Sequence, residues 1–329
     1  MARRPASAND NSARGAVNTS RVAVLIPCFN EEATIAKVVA DFKKALPGAA
    51  IHVYDNNSTD RTAEIAHKAG AIVGSEPHKG KGHVVRRMFA DVEADIYLLV
   101  DGDATYHAPS AAKLVQKLVG ESLDMVVATR VEREDAYRLG HRSGNRAFTW
   151  FVATTFGRAF TDIFSGYRAF SRRFVKSFPA LSTGFEVETE LTIHALELGM
   201  PVAEMPTPYF ARVEGSASKL STGRDGLRIL WTIVRLFRNE RPLPFFATIG
   251  SGFAFASVVL AVPVVRTYMA TGLVPRLPTA VLATGLMLLA FLSIASGLVL
   301  DTVTRGRREI KRLAYLAHRA PTLPERRQP

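Results

Sequence analysis

The chain has 329 residues, enough for one substantial domain and an appendage, and it carries a formal net charge of +12. This charge predicts anionic partners such as phospholipid headgroups, phosphorylated substrates or nucleic acid. Cys28 is the one cysteine, so an intrachain disulfide framework is excluded. Its place in an apolar run favours a small core residue over a catalytic thiol.

The first part of the chain predicts a tail followed by an α/β domain. Residues 1–20 are polar and lack the apolar segment of a signal peptide, so we expect a disordered tail. From residue 21 to about 221, short apolar runs alternate with helical patterns, which is typical of a mostly parallel sheet covered by helices. Strands are predicted at 22–26, 51–54, 71–73, 96–100 and 125–128, and helices at about 32–46 and 60–69.

Residues 222–241 predict an amphipathic helix. Its arginines fall within one stripe of a helical wheel, and apolar residues fill most of the remainder. These arginines are Arg224, Arg228, Arg235 and Arg238. Such a helix often forms the edge of a soluble domain, but the segments that follow favour a place in the headgroup layer of a membrane.

Two uncharged segments, 245–265 and 279–300, predict a transmembrane hairpin within residues 242–304. Each spans roughly 30 Å as a helix, which is the thickness of the hydrocarbon core of a bilayer. Many basic residues lie directly before the hairpin, in the arginine stripe, and directly after it, in the tail 305–329. The loop that connects the two segments has only Arg266 and Arg276. This bias predicts that both termini and the α/β domain face the cytoplasm, at the cell inner (plasma) membrane.

The sharpest chemical signal is Asp101-Gly102-Asp103, directly after the apolar strand 96–100. In an open parallel sheet, ligands collect beyond the carboxyl ends of the strands. Two carboxylates there suit Mg²⁺ or Mn²⁺ bridging a diphosphate. Such a metal neutralises the charge of a departing nucleotide diphosphate.

The first two predicted strands also end in polar residues. One runs into Pro27-Cys-Phe-Asn-Glu31, and the other into Asp55-Asn-Asn-Ser-Thr-Asp60. Glu31 and Asp55 could accept hydrogen bonds from a base or a ribose. Helix capping is the alternative, and Ser58 and Asp60 suit that role in any case.

Together with Lys79-Gly-Lys-Gly82, these motifs resemble those of family 2 glycosyltransferases with the GT-A fold. The later Ser165-Gly-Tyr-Arg168 and the paired apolar segments resemble the dolichyl- and polyprenyl-phosphate hexosyltransferase subgroup, and the resemblance covers about residues 21–300. It implies a GT-A type nucleotide-diphospho-sugar transferase. In such a protein, a Rossmann-like, mostly parallel sheet is joined to the interfacial helix and the hairpin.

The resemblance also implies which residues bind the donor. The nucleotide-sugar site would contain Pro27, Asn30, Glu31, Asp55, Lys81, Asp101 and Asp103. The last two would hold the metal and the diphosphate, with Asp103 in a catalytic role. Some relatives place glutamine two residues beyond the second aspartate, where this chain has Thr105. Residues 79–82 lack the spacing of a Walker phosphate loop, but their glycines would allow close backbone approach to a ligand.

The acceptor side of the predicted site is basic. Arginine forks match the oxygens of a lipid monophosphate, although any one of these side chains could be a surface charge. The candidates are Arg130, Arg142, Arg146, Arg168 and Lys219, and Arg130 with Arg168 is the favoured pair.

Three further positions allow more than one interpretation. Asp162 matches an Asp-x-x-x-Gly-[Phe/Tyr]-[Arg/Lys] pattern of relatives, and it could orient the acceptor, act as a base or cap a helix. Glu186 and Glu190 are one helical turn apart and could face the site together or form a solvent-facing stripe. His194 is more typical of a structural residue than of a metal ligand.

These observations predict an inverting glycosyltransferase. It would move a hexose-type sugar from a UDP- or GDP-sugar to a polyprenyl phosphate, undecaprenyl or dolichyl, in cell-envelope biosynthesis. A phosphate monoester is largely ionised near neutral pH, so its oxygen could attack the anomeric carbon with little help from a base.

A processive polysaccharide synthase of the same fold and a non-enzymatic lipid-binding scaffold are the alternatives. The Gln-x-x-Arg-Trp motif of processive synthases does not occur in the sequence, and no aromatic–basic repeat indicates nucleic acid. A non-enzymatic scaffold would not need two aspartates at the end of a strand, which argues against that alternative. The sugar, the nucleobase and the formation of a homo-oligomer stay open.

Overall fold

The structure, a computed structural model, describes residues 21–132, 160–184, 186–211, 234–235 and 237–321. These residues fall into two compact units. The first unit contains the described parts of residues 21–137, 160–217 and 315–321, and the second contains the described part of residues 218–314.

The first unit is built on a seven-stranded sheet. Its strands are β1 (Val22–Cys28), β2 (Ala50–Asp55), β3 (Ile72–Ser75), β4 (Ile96–Leu99), β5 (Met125–Glu132), β6 (Arg168–Ser171) and β7 (Val202–Tyr209). They lie in the order β3-β2-β1-β4-β6-β5-β7. Strand β6 runs antiparallel to both of its neighbours, and the other neighbouring strands are parallel. This mostly parallel sheet confirms the predicted fold class.

Helices of the first unit cover the sheet. They are α1 (Ile35–Ala45), α2 (Thr62–Lys68), α3 (Lys81–Asp91), α4 (Ser110–Gly120), α5 (Arg172–Ser177) and α6 (Val187–Leu198). Helix α1 shows why these segments fold as they do: Ile35, Val38, Val39 and Phe42 recur at helical spacing and are all buried.

Strand β1 lies at the centre of the sheet and determines where a crevice opens. Its residues from Val22 to Ile26 are at most 2% exposed, because both faces of a parallel sheet are covered by helices. The chain moves from β1 to β2 and β3 on one side, and then returns to β4 on the other side of β1. Such a reversal leaves a crevice beyond the carboxyl ends of the central strands.

Strands β6 and β7 have no counterpart among the predicted strands. Strand β6 begins with a charged residue, Arg168, and spans four residues, so it lacks an apolar run. Strand β7 contains Glu204, Pro206 and Pro208, which are residue types depleted in strands. Prolines are tolerated there because β7 is the edge strand of the sheet, with β5 as its neighbour.

The described part of the chain ends with two long apolar helices, α7 (Pro242–Thr271) and α8 (Leu277–Leu316), and all but the last two residues of α8 belong to the second unit. Both are long and apolar enough, by length and composition, to cross a membrane. They extend beyond the predicted segments. Helix α8 continues through the first part of the predicted basic tail, where Arg305 pairs with Asp301 one turn earlier.

Small residues hold α7 and α8 together. The buried residues recur at intervals of seven, as Gly250, Ser257 and Val264 in α7 and as Ala283, Ala290, Gly297 and Thr304 in α8. The Ser257 hydroxyl donates to the Ala283 carbonyl over 2.7 Å. Small residues that recur every seven positions are typical of helices that pack closely in lipid.

Only a short part of the predicted amphipathic helix is described. Residues 234, 235 and 237–240 are helical, and Arg235 and Arg238 are exposed. Arg224 and Arg228 lie outside the described residues.

The contact between α7 and α8 gives a prediction with a matched control. A Cβ atom at position 250 would lie 2.9 Å from the backbone oxygen of Ala290, so Gly250→Ala should force the helices apart and cost about 1–3 kcal/mol. No atom lies within 4 Å of a Cβ at position 252, so Gly252→Ala should be neutral or slightly stabilising. Thermal unfolding in detergent measures both. Equal midpoints for the two variants would contradict this packing.

Candidate active site

The Asp101-Gly-Asp103 motif forms a tight turn after β4. Asp103 is 4% exposed, and its Oδ1 accepts hydrogen bonds from the Thr105 hydroxyl over 2.6 Å and the Thr105 amide over 3.2 Å. Ala104, between them, has a φ of 58°, which is uncommon for a residue with a side chain. Thr105, at the position where some relatives have glutamine, therefore fixes the carboxylate of Asp103.

Gly102 joins this turn to the end of β1. A Cβ atom at position 102 would lie 2.8 Å from Cys28 Sγ, and the Gly102 carbonyl accepts from the Thr34 hydroxyl over 2.7 Å. Cys28 is 2% exposed within the core, which confirms its interpretation as a core residue. Glu31, 8% exposed, lies on the same side of the turn, with its Cγ 3.6 Å from that Cβ position.

The end of β2 supplies Asp55, which has an acceptor atom to spare. Its Oδ2 accepts from the Ser58 amide over 3.0 Å, whereas Oδ1 is buried and finds no hydrogen-bond partner in the described part of the chain. A buried acceptor without a partner is costly, and a bound ligand that donates a hydrogen bond removes that cost.

Asn30 and Ser58 join the loops that follow β1 and β2. The Asn30 amide donates to Ser58 Oγ over 2.9 Å, and Asn30 Oδ1 accepts from the Thr59 amide over 2.8 Å. Helix α2 begins at Thr62, and it is Asp60 that accepts from the Thr62 amide. The expected capping role of Ser58 is therefore wrong, because its hydroxyl is used across the two loops.

Lys81, at the start of α3, contacts two carboxylates. Its Nζ donates to Asp101 Oδ1 and to Glu188 Oε1, the latter over 2.5 Å. Burial alone would lower the pKa of Lys81, but the charges of Asp101 and Glu188 outweigh burial and raise it. Lys81 therefore remains a cation inside the site.

The glycines of the Lys79–Gly82 motif accommodate protein backbone. Side chains at Gly80 and Gly82 would collide with the carbonyls of Thr183 and Ser182, and the Gly82 amide donates to the Thr183 carbonyl over 3.2 Å. Gly80 also has a φ of 131°, which favours glycine. The close approach expected toward a ligand is thus made to the loop before α6.

The acidic residue of α6 that reaches the site is Glu188, which sequence reasoning missed. Glu190 instead accepts from the amides of Leu181 and Ser182, both over 2.8 Å, so its carboxylate binds the loop before α6. Helical spacing cannot show which face of α6 meets α3, and only the contact with Lys81 identifies it. His194 is 1% exposed and lies 3.0 Å from the Ser177 hydroxyl, which confirms a structural role.

Arg130, in β5, is held by Asp162. The guanidinium donates to both oxygens of this carboxylate, over 2.7 and 2.8 Å, and lies 5.5 Å from the centre of the Tyr209 ring. Burial alone would lower the pKa of Arg130, but Asp162 raises it. Glu204 supports the pair by accepting from the Asp162 amide over 3.3 Å. No helix begins at Asp162, so the capping interpretation is excluded.

Arg168 is not exposed at all, which contradicts its predicted place beside Arg130 as a phosphate ligand. Its guanidinium donates to the carbonyls of Ile163 and Ser165 and, over 2.8 Å, to the hydroxyl of Thr192. Burial lowers the pKa of Arg168 to about 10. The residue therefore acts as an internal clamp between the loop before β6 and helix α6.

The clamped loop passes directly beneath Asp101. A side chain at Gly166 would collide with the Asp101 carboxylate, and the Gly166 amide donates to the Tyr106 hydroxyl over 2.9 Å. Burial raises the pKa of that hydroxyl, and the charges of Asp101 and Arg130 both act on it. Tyr106 thus lies near both the diaspartate turn and the Arg130–Asp162 pair. Arg142, Arg146 and Lys219 lie outside the described residues.

The donor set suits a divalent cation shared with a ligand. Across the described ranges, no group of three or more His, Cys, Asp or Glu side chains forms a metal site by itself. Asp101 and Asp103 offer carboxylate oxygens, which Mg²⁺ and Mn²⁺ prefer, and a diphosphate and water usually complete such a shell.

Comparison with known proteins identifies the class of this chain. The model of the family described as glycosyl transferase family 2 matches residues 23–178. Glycosyltransferase AglJ of Haloferax volcanii is 33% identical over 301 residues, which cover 90% of this chain and 98% of that protein. The dolichyl-phosphate hexose transferase of the same organism is 31% identical over 223 residues, covering 67% of this chain and 95% of that protein.

A solved structure of another glycosyl-transferring enzyme has the same fold. Glucosyl-3-phosphoglycerate synthase from Mycobacterium tuberculosis, in complex with Mn²⁺, UDP and phosphoglyceric acid, matches with a TM-score of 0.54 and 26% identity. The match covers 66% of this chain and 77% of that chain. The present chain belongs to glycosyl transferase family 2, and it is a glycosyltransferase.

The interpretation of Arg168 as a clamp can be tested by Arg168→Met. Three buried acceptors would lose their donor, so stability should fall by about 3 kcal/mol or more. Arg86→Met is the control, because Arg86 is exposed and its guanidinium hydrogen-bonds the side chain of His83 at the surface. Thermal unfolding compares them. A variant at position 168 with normal stability and a raised KM for the acceptor would restore the sequence-based assignment.

Proposed function

We propose that the chain transfers a hexose-type sugar from a UDP- or GDP-sugar to the phosphate of a polyprenyl lipid, with inversion at the anomeric carbon. The observation that carries this proposal is the position of Tyr106. Its hydroxyl accepts from the amide of Gly166, which lies against the Asp101 carboxylate, and its ring centre lies 5.2 Å from that of Tyr209, the ring that Arg130 contacts. The proposed site for a diphosphate, at Asp101, and the proposed site for a monophosphate, at Arg130, would therefore adjoin within the first unit.

The donor side of the proposal rests on the strand ends. Asp55, with its unpartnered Oδ1, would accept from the base or the ribose, and Glu31 and Pro27 would line the nucleoside. Asp101 and Asp103 would hold Mg²⁺ or Mn²⁺, and Lys81 would bind the diphosphate. The bound cation would neutralise charge on the departing nucleotide. Support comes from the glucosyl-3-phosphoglycerate synthase structure, which contains UDP and Mn²⁺.

The acceptor side of the proposal rests on Arg130. Its guanidinium is fixed by two hydrogen bonds to Asp162 and lies over the Tyr209 ring, so its orientation is determined before a phosphate arrives. Both oxygens of Asp162 accept from Arg130, which favours an orienting role for Asp162 over that of a base. The dolichyl-phosphate hexose transferase of Haloferax volcanii supports a lipid phosphate as the acceptor.

The proposed reaction needs little proton transfer. The acceptor phosphate is largely ionised near neutral pH, so one of its oxygens can form the new bond to the anomeric carbon as the bond to the diphosphate breaks. Attack in line with the leaving group inverts the anomeric carbon. The protein contributes orientation through Arg130 and charge stabilisation at the diphosphate through Lys81.

The proposed acceptor is a membrane lipid, and the second unit is suited to reach it. In the apolar part of each helix, only 11% of the residues of α7 and 17% of those of α8 are buried, so most of the apolar surface is exposed. A core helix of a soluble protein would be mostly buried. We propose that α7 and α8 cross the membrane as a hairpin, with the catalytic unit in the cytoplasm.

Replacing Asp103 tests the donor site. Asp103→Asn keeps the shape of the side chain but removes a charge, and it should lower kcat at least 10²-fold, or about 2.7 kcal/mol. Transfer from UDP- and GDP-sugars to undecaprenyl phosphate with Mn²⁺ is measured by the mass of the lipid product. Asp91→Asn, at the exposed end of α3, is the control and should stay active.

Nearly normal transfer by Asp103→Asn would contradict the assignment. The same assay tests the alternative reaction, because one sugar per lipid is expected here, whereas a ladder of longer products would support a processive synthase.

Replacing Arg130 tests the acceptor site. Arg130→Lys keeps the charge but loses the fork that pairs with Asp162, so the KM for the lipid phosphate should rise about tenfold, or about 1.4 kcal/mol. The KM for the nucleotide-sugar should not change. Arg87→Lys, on an exposed face of α3, is the control. A rise in the KM for the nucleotide-sugar alone would instead assign Arg130 to the donor site.

A further inference from the structure

Glu188 forms a buried ion pair whose purpose the proposed reaction leaves open. The side chains of Lys81 and Glu188 are 10% and 6% exposed, whereas that of Asp101, the other partner of Lys81, is 29% exposed. Asp101 is therefore the partner of Lys81 that a ligand can reach, and Glu188 is the more deeply buried partner.

Hydrogen bonds that lead to Thr192 and Arg168 hold the backbone of Glu188 in place. Its backbone carbonyl accepts from the Thr192 hydroxyl over 3.1 Å, and that hydroxyl accepts from the buried guanidinium of Arg168 over 2.8 Å. The loop before α6 packs against Gly80 and Gly82, on either side of Lys81 in the chain. The helix that carries Glu188 and the helix that begins with Lys81 are thus held together by backbone contacts.

The carboxylate of Glu188 has a further acceptor inside the site. Its Oε1 binds Lys81, whereas Oε2 is buried and has no hydrogen-bond partner among the residues described. A buried carboxylate is costly unless a cation lies beside it. Lys81 is the cation in contact with it, so the two side chains depend on each other.

We propose that Glu188 is a positioning residue that keeps the ammonium of Lys81 directed at the diphosphate of the donor. This inference rests on the proposed function. When the donor and its cation engage Asp101, Lys81 loses one carboxylate partner, and Glu188 is the partner that remains. Without Glu188, Lys81 would pair with Asp101 alone, which displaces the ammonium and occupies a carboxylate that the cation requires.

The sign of the expected effect separates positioning from simple electrostatics. Glu188→Gln removes a negative charge beside an anion, which by Coulomb's law alone would strengthen the binding of a diphosphate. Positioning predicts weaker binding, because the ammonium is no longer held where the diphosphate needs it.

The experiment uses the full chain in detergent and titrates UDP and GDP in the presence of Mn²⁺ by calorimetry. Glu188→Gln should raise the Kd of the nucleoside diphosphate that binds the wild type about tenfold, which is about 1.4 kcal/mol. Glu197→Gln is the matched control on the same helix, about 13 Å further along its axis, and its Kd should equal that of the wild type. Electron paramagnetic resonance of Mn²⁺ should show the same loss at Glu188→Gln.

A double-mutant cycle tests the coupling to Lys81. In a Lys81→Met background, Glu188→Gln should not raise the Kd further, because no ammonium remains to be positioned. Thermal unfolding checks that each variant folds. If Glu188→Gln does not fold, Glu188→Asp keeps the charge, shortens the reach to Lys81, and should show a smaller rise in Kd.

Three results would overturn the inference. The first is an unchanged or lower Kd for Glu188→Gln, and the second is additive losses in the cycle. The third is weaker binding of the nucleotide-sugar with unchanged binding of the nucleoside diphosphate, which would assign Glu188 to the sugar. A wild-type chain that binds neither UDP nor GDP with Mn²⁺ would instead refute the proposed function, and the inference with it.

Discussion

The convergence of negative charge beyond β1, β2 and β4 is the constraint on which the rest of the structure depends. The sheet order places Asp55, Asp101 and Asp103 beyond the carboxyl ends of β2 and β4, where a nearby cation stabilises a carboxylate. Lys81 is one such cation, and it is buried between Asp101 and Glu188. A site built in this way is suited to a ligand that brings another cation, as a nucleotide diphosphate with Mg²⁺ or Mn²⁺ does.

Glycines connect the segments that form this arrangement. Gly102 allows the diaspartate turn to pack on Cys28, Gly166 allows the loop before β6 to pass beneath Asp101, and Gly80 and Gly82 admit the loop before α6. In each case the space that a side chain would fill belongs to another part of the protein. Motifs that are far apart in the sequence therefore act together, and a methyl group at one of them would disturb several charged residues.

The positions of Asp55, Asp101 and Asp103 could be predicted from the sequence, because these residues directly follow apolar runs, and parallel strands end at one edge of the sheet. The buried charged residues that support these aspartates could not be predicted in this way. Arg168 follows a small polar motif and resembles an exposed ligand, but only the packed core shows that carbonyls surround it. Glu188 is 107 residues from Lys81, and no local pattern reveals which face of α6 turns toward it. Strand β7 was missed because its prolines are acceptable only at an edge.

Anomalous scattering from Mn²⁺ in a crystal of the chain with a bound nucleoside diphosphate would show where the cation binds. We expect one strong manganese peak in contact with carboxylate oxygens of Asp101 and Asp103 and with oxygens of the diphosphate. A nucleotide bound in the crevice with manganese elsewhere, or with neither aspartate turned toward the metal, would contradict this expectation.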